Sequence, residues 1–176
     1  MRTIALILIF CTSAFAETYK VQSTIRLSPE VTVTCHGNAF AVTNNRAVTC
    51  AHVLAADGEN RIQVKGEWHA VEILRRDEAN DLCLVRVAGV ILKPVEFAAE
   101  PRVVVVVGAE RNLDIKTHEV EMVGGKLKSA FSVGISGSPV FADGKLIGMI
   151  VTVDSADKPT RSHFVSSAVI RKFIEN

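Results

Sequence analysis

Gly134-Ile135-Ser136-Gly137-Ser138-Pro139-Val140, with the Ala142-Asp143-Gly144-Lys145 turn that follows, is the stretch that decides how the chain is read. An alternating apolar segment precedes it. The pattern therefore predicts a strand, a tight loop bounded by glycines, and a hairpin. A serine held between glycines can project into a cleft, and the missing Cβ atoms let backbone N–H groups converge beside it. Convergent N–H donors are what an oxyanion hole requires. Ordinary turns use the same residues, so the loop gains meaning only from its company.

Two other stretches provide that company. In Ala47-Val48-Thr49-Cys50-Ala51-His52-Val53-Leu54 an apolar strand runs into a histidine. In Asn80-Asp81-Leu82-Cys83-Leu84-Val85-Arg86-Val87 an aspartate opens an apolar strand. A serine hydroxyl is a weak nucleophile and needs a neighbouring base. An imidazole can take the proton near neutral pH, and a carboxylate on its other N–H fixes the tautomer. Asp77 is the nearest rival carboxylate, but the charged stretch from Arg75 to Glu78 reads as a solvated turn. Ser138 is a rival nucleophile. The chain order His, Asp, Ser differs from the subtilisin and α/β-hydrolase orders.

Jointly the three stretches resemble the trypsin-like serine peptidases of chymotrypsin fold, nearest to the bacterial branch with the HtrA proteases and the staphylococcal glutamyl endopeptidase. Those proteins carry similar T-x-A-H-V, D-L-A-L-x-x-V and G-x-S-G-[GS]-P motifs. The resemblance runs from about Thr32 to the C-terminus. It implies an endopeptidase acting through an acyl-enzyme, with Ser136 as nucleophile, His52 as base and Asp81 orienting it. It also implies an oxyanion hole from the N–H groups of Gly134 and Ser136, a polypeptide substrate, and neither metal nor cofactor. The primary pocket would be lined by Ala130, Val151, Thr152 and Val153. No acid stands there to pair with a buried cation, so small or medium apolar residues are expected before the scissile bond. Ile135 occupies the position where trypsins pair an aspartate with the new N-terminus. The loop is therefore expected to be set by packing, with no specific N-terminus required. Two rivals remain: a peptidase-fold module that binds peptides without turnover, and a lipase or esterase, which the triad order and the lack of a lid segment disfavour.

The first 16 residues read as a secretory signal peptide. Met1-Arg2 opens it, Ile4 to Phe10 is apolar, and Ala14-Phe15-Ala16 offers a cleavage site. A span would need about 20 apolar residues, so no membrane anchor is expected after cleavage, and the mature chain is expected to be secreted or periplasmic. Without Arg2 it carries 19 basic and 19 acidic residues. That balance, without any Lys/Arg run, argues against a nucleic-acid partner. Cys11 leaves with the signal; Cys35, Cys50 and Cys83 stay. If Asn44-Asn45 makes a two-residue turn, Cys50 falls opposite Ala39 and Cys35 lies about 13 Å further along. A bridge tolerates less than about 7 Å, so buried free thiols are expected.

The mature chain reads as short β segments: Tyr19 to Arg26, Val31 to Cys35, Ala39 to Thr43, Arg46 to Thr49, Arg61 to Val64, Glu67 to Leu74 and Asp81 to Val87. Pro94 to Pro101 marks a connection. Beyond it come Val103 to Val107, Leu113 to Val123 up to Gly124-Gly125, Leu146 to Val153 and Ser162 to Val165. Trp68 is expected to pack in the core or between strands. Only the end looks helical: Ser166-Ser167 offers a cap, and Val169, Ile170, Phe173 and Ile174 form an apolar stripe. The rhythm is all-β, and the resemblance narrows it to two six-stranded β-barrels with a C-terminal helix. One barrel is expected over about 17–95, the second over about 100–165 and the helix over about 166–175, with no PDZ domain appended.

Overall fold

Six antiparallel strands roll the first half of the chain into a closed barrel: β1 (Thr18–Arg26), β2 (Thr32–Thr43), β3 (Arg46–Cys50), β4 (Glu59–Val64), β5 (Glu67–Asp77) and β6 (Leu82–Val87). Their order is β1-β2-β3-β6-β5-β4, and β4 returns to pair with β1. This is a computed structural model; it describes residues 17–97, 103–109, 114–123, 126–127, 131, 134–153 and 162–176. Residues 1–16, expected to be a leader, Gly124-Gly125, expected to form a turn, Ala130 and part of the connection expected over 94–101 lie outside the described residues.

Period-two burial builds the barrel. In β4, Asn60, Ile62 and Val64 point inward while Glu59 and Arg61 face solvent. The same parity corrects the expectation for Trp68. It pairs with Gln63, on the outer face, and is 39% exposed. The two short strands expected over Val31–Cys35 and Ala39–Thr43 are one strand, β2, because β1 pairs with it from Arg26↔Thr32 to Thr18↔Phe40. A bulge between Ala41 and Thr43 sets Ala39 opposite Thr49, one place away from the expected register with Cys50. Cys35, Cys50 and Cys83 are free thiols, as expected, but only Cys50 and Cys83 are buried; Cys35 is half-buried.

The second half contributes β7 (Val103–Ala109), β8 (Ile115–Val123), β9 (Lys126–Leu127), β10 (Pro139–Ala142), β11 (Lys145–Val153) and β12 (Ser162–Ser166). They form one six-stranded sheet ordered β12-β11-β10-β7-β8-β9. That is the strand order of the first barrel, opened between β9 and β12. The two end strands come within 8 Å of each other, but the described hydrogen-bond ladder stops there, so a second closed barrel is not what is seen. Asp143 and Gly144 join β10 to β11 with φ of 49° and 75°, the left-handed pair that a tight hairpin turn demands. Helix α1 (Ser167–Glu175) follows. Its Ile170 and Phe173 are buried against the barrel core. Val169 is exposed, which narrows the expected stripe, and Ser166 caps the helix without a side-chain hydrogen bond.

The barrel core encloses several proton-bearing groups that titrate only at high pH. Burial pushes the Cys83 thiol from 9.0 up to about 11 and the Tyr19 phenol from 10.0 up to about 12. Burial also holds the Cys50 thiol well above its usual value. The native state binds these protons more tightly than the unfolded chain, so stability falls wherever the unfolded chain has released them. The urea midpoint is expected to hold steady up to about pH 9 and to drop progressively from there toward pH 12. A midpoint unchanged to pH 11 would contradict the burial of these groups.

Candidate active site

The strand β3 ends at Cys50, and the chain turns at once into a single 3-10 turn, Ala51–Val53, that carries His52. The predicted short turn is therefore present. Ala51 and Val53 are buried and anchor it, while the His52 side chain is 47% exposed. Asp81 was expected to open a strand. It occupies the turn just before β6 instead, with φ of 51°, a left-handed conformation that aspartate tolerates better than most residues.

That conformation aims the Asp81 carboxylate at the histidine turn. Oδ2 accepts from His52 Nδ1 at 2.6 Å, and Oδ1 accepts from the His52 backbone N–H at 2.9 Å. The Asp81 carbonyl also accepts the Ala51 N–H at 3.1 Å. Three bonds thus lock the ring's position to the aspartate turn. Asp77 serves elsewhere: it accepts the Asn80 N–H and side-chain amide, which together hold its carboxyl below the usual range. It shapes the turn that leads into Asp81.

Cys50 Sγ lies within 4.8 Å of the His52 and Asp81 ligand atoms. Three such groups could suggest a metal, but the geometry does not fit one. Two ligands on a tetrahedral ion would stand about 3.4 Å apart at usual bond lengths, whereas the His52–Asp81 separation of 2.6 Å is that of a charge-assisted hydrogen bond. Cys50 keeps its proton and reaches the carbonyls of Ile150 and Val151 at 3.4 and 3.5 Å.

The serine loop packs against the same strands. The Asn38 N–H donates to the Ser136 carbonyl at 2.7 Å, Gly137 N–H donates to Ile150 at 2.8 Å, and Ser138 exchanges bonds with Ile135 and Ile150 at 3.0 Å. Neither the Gly134 N–H nor the Ser136 N–H takes part in these bonds. Ile135 is fully buried in the second core, in line with a loop set by packing. A Cβ on Gly37 would lie 2.8 Å from Val53 and 3.0 Å from the Ser136 oxygen, so one glycine separates the histidine turn from the serine loop. Ser136 is half-buried, and its hydroxyl makes none of the hydrogen bonds described. Ser138, the rival nucleophile, is fully buried with its Oγ unpaired and packed against Gly108.

Among the remaining predicted residues, Ala130 lies outside the described residues. Thr152 and Val153 belong to β11, and Val151 is buried in the barrel core. Sequence reasoning missed Arg76. Its guanidinium donates to the carbonyls of Ala51 and Leu54, and it pairs with Glu78 at 2.8 Å, so it clips the ends of the His52 turn to β5. Only a contact across 25 residues reveals it, and no local motif carries that signal.

Gly137 is the tightest point of the loop. Its φ is 82°, and a Cβ there would overlap the Asn38 carbonyl oxygen. Gly66 has a similar φ of 88° with nothing within 4 Å. Gly66→Ala should cost only the left-handed strain, about 1–2 kcal/mol. Gly137→Ala adds a backbone clash, so a loss of roughly 4 kcal/mol and a Tm lower by about 10 °C are expected. Equal melting temperatures for the two variants would refute the close approach.

Residues 37–149 match the family model of the trypsin-like peptidase domain. Among solved structures, the active form of the Rv3671c protease from M. tuberculosis superimposes with a TM-score of 0.78 at 18% identity, covering 93% of this chain and 81% of that one. The inactive form of the same protease gives 0.73 at 17% identity, covering 93% and 89%. At such identities the likeness is one of fold. No curated protein sequence matches the chain.

Proposed function

Because the chain belongs to the trypsin-like peptidase domain family, we propose that it is a serine endopeptidase that cleaves polypeptides through an acyl-enzyme. Ser136 Oγ attacks the scissile carbonyl while its proton passes to His52 Nε2. The negative charge that develops on the carbonyl oxygen is met by the N–H groups of Gly134 and Ser136. His52 then gives its proton to the leaving amine, and a water repeats the sequence to release the acid. Asp81 holds the imidazole in the tautomer that leaves Nε2 free to accept. The reading extends the second sheet to a second barrel, closed between β9 and β12, with the substrate lying between the barrels. It takes residues 1–16 as a leader that sends the protein out of the cytoplasm.

One observation carries the proposal. The two-point Asp81 grip on His52 stands one glycine away from a loop in which the described hydrogen bonds engage the Gly134 and Ser136 carbonyls and not their N–H groups. In structures without substrate the serine–histidine bond is commonly open and closes on binding. A fluorophosphonate probe tests the reading directly. Native protein should be labelled on a single peptide, at Ser136. Folded protein that resists the probe, or carries it elsewhere, would overturn the assignment.

A further inference from the structure

Asn38 is a fully buried polar residue in the middle of β2. Its side chain reaches out of the first barrel: Oδ1 accepts the Ala109 N–H at 2.8 Å, and Nδ2 donates to the Gly134 carbonyl at 2.8 Å and to the Ala109 carbonyl at 3.3 Å. Its backbone N–H meanwhile donates to the Ser136 carbonyl at 2.7 Å. One residue of the first barrel therefore grips both carbonyls that flank Ile135 and ties them to the end of β7. Ile135 has no carboxylate to receive an ammonium, so an ion pair at that position cannot set the loop.

We propose that Asn38 is a positioning residue for the oxyanion hole: its carboxamide holds the Gly134–Ile135 peptide so that the Gly134 and Ser136 N–H groups converge. This rests on the assignment of Ser136 as nucleophile. A peptide plane that turns over at Gly134, with φ of 104° and no Cβ to resist, swings its neighbours' N–H groups away. The Nδ2 bond blocks that rotation, and the Oδ1 bond fixes which way the amide faces.

Asn38→Asp is nearly isosteric and keeps the Oδ1 bond to Ala109 but loses the donor to Gly134. Its kcat on a peptide substrate should fall about 100-fold, the scale of one lost oxyanion donor, with KM within threefold. Affinity for a peptidyl trifluoromethyl ketone, whose hemiketal oxygen enters the hole, should fall by the same factor. Affinity for a non-reactive product peptide should not change. A folded Asn38→Asp protein with kcat within threefold of the parent would overturn the proposal. If Asn38→Asp does not fold, Asn38→Ser, too short to reach Gly134, carries the same expectation. Failure of both to fold would also overturn it, making Asn38 a requirement of the fold instead of the loop. Ser136→Ala run alongside separates the two claims. If it stays active, the peptidase reading falls; if it is dead while Asn38→Asp is fully active, only the role of Asn38 falls.

Discussion

Ser136→Ala is expected to lower kcat by roughly 10⁶-fold, with KM little changed, whereas Ser138→Ala should leave kcat within a fewfold of the parent. The first loss corresponds to about 8 kcal/mol of transition-state stabilisation. In the proposed mechanism it is that large because without the hydroxyl no acyl-enzyme forms, and the histidine and oxyanion donors are left to assist water alone. The contrast between the two serines comes from burial. Ser136 is half-buried at the turn, while Ser138 has no solvent exposure and its Oγ faces the backbone of Gly108. A buried hydroxyl without a partner costs free energy in the native state. Ser138→Ala should therefore melt no lower than the parent, and slightly higher if nearby groups close over the space. Steady-state hydrolysis of a fluorogenic peptide checks both variants. Equal losses at the two positions would sink the assignment of Ser136, and a loss at Ser138 alone would transfer the role.

Local structure around the candidate site was legible in the sequence wherever it depends on a residue's immediate neighbours. His52 follows an apolar strand and falls on a one-turn helix because Cys50, Ala51 and Val53 are all apolar and buried. Asp143-Gly144 announced its hairpin because only such residues adopt the required φ. The long-range contacts were not legible. Asn38 reaches Gly134 across 96 positions and Ala109 across 71, and nothing around it distinguishes a clamp from a turn asparagine. Arg76 looked like part of a solvated charge run, yet it caps carbonyls of the His52 turn. Trp68 shows the limit of residue-type reasoning. An aromatic is the strongest core former available, but the pleat of β5 against β4 decided its face. The bulge in β2 moved one register by a residue, a local choice that pairing, not composition, determines. In each case the missing information was which strands lie side by side.

Asp81→Asn is expected to lower kcat by roughly 10⁴-fold while leaving the fold intact, a loss of about 5.5 kcal/mol in transition-state stabilisation. The structure explains both halves of that expectation. Asparagine is among the residues that best tolerate a left-handed backbone, so the φ of 51° at this position should be kept and the melting temperature should shift by only a few degrees. Chemistry is lost because the two oxygens of Asp81 face two N–H groups. A carboxylate accepts from both. A carboxamide has one acceptor and one donor pair, and the backbone N–H of His52 can only donate. The asparagine oxygen must therefore stay on the backbone N–H, which points the NH₂ group at Nδ1. Nδ1 must then accept, so the ring proton moves to Nε2, the atom that takes the Ser136 proton in the proposed mechanism. The alternative orientation sets two donors against each other at the backbone and leaves that N–H unpaired. Fluorophosphonate labelling should slow by a similar factor, because it needs the same proton transfer. A variant that folds normally and keeps kcat within tenfold of the parent would show that Asp81 does not set the tautomer of His52.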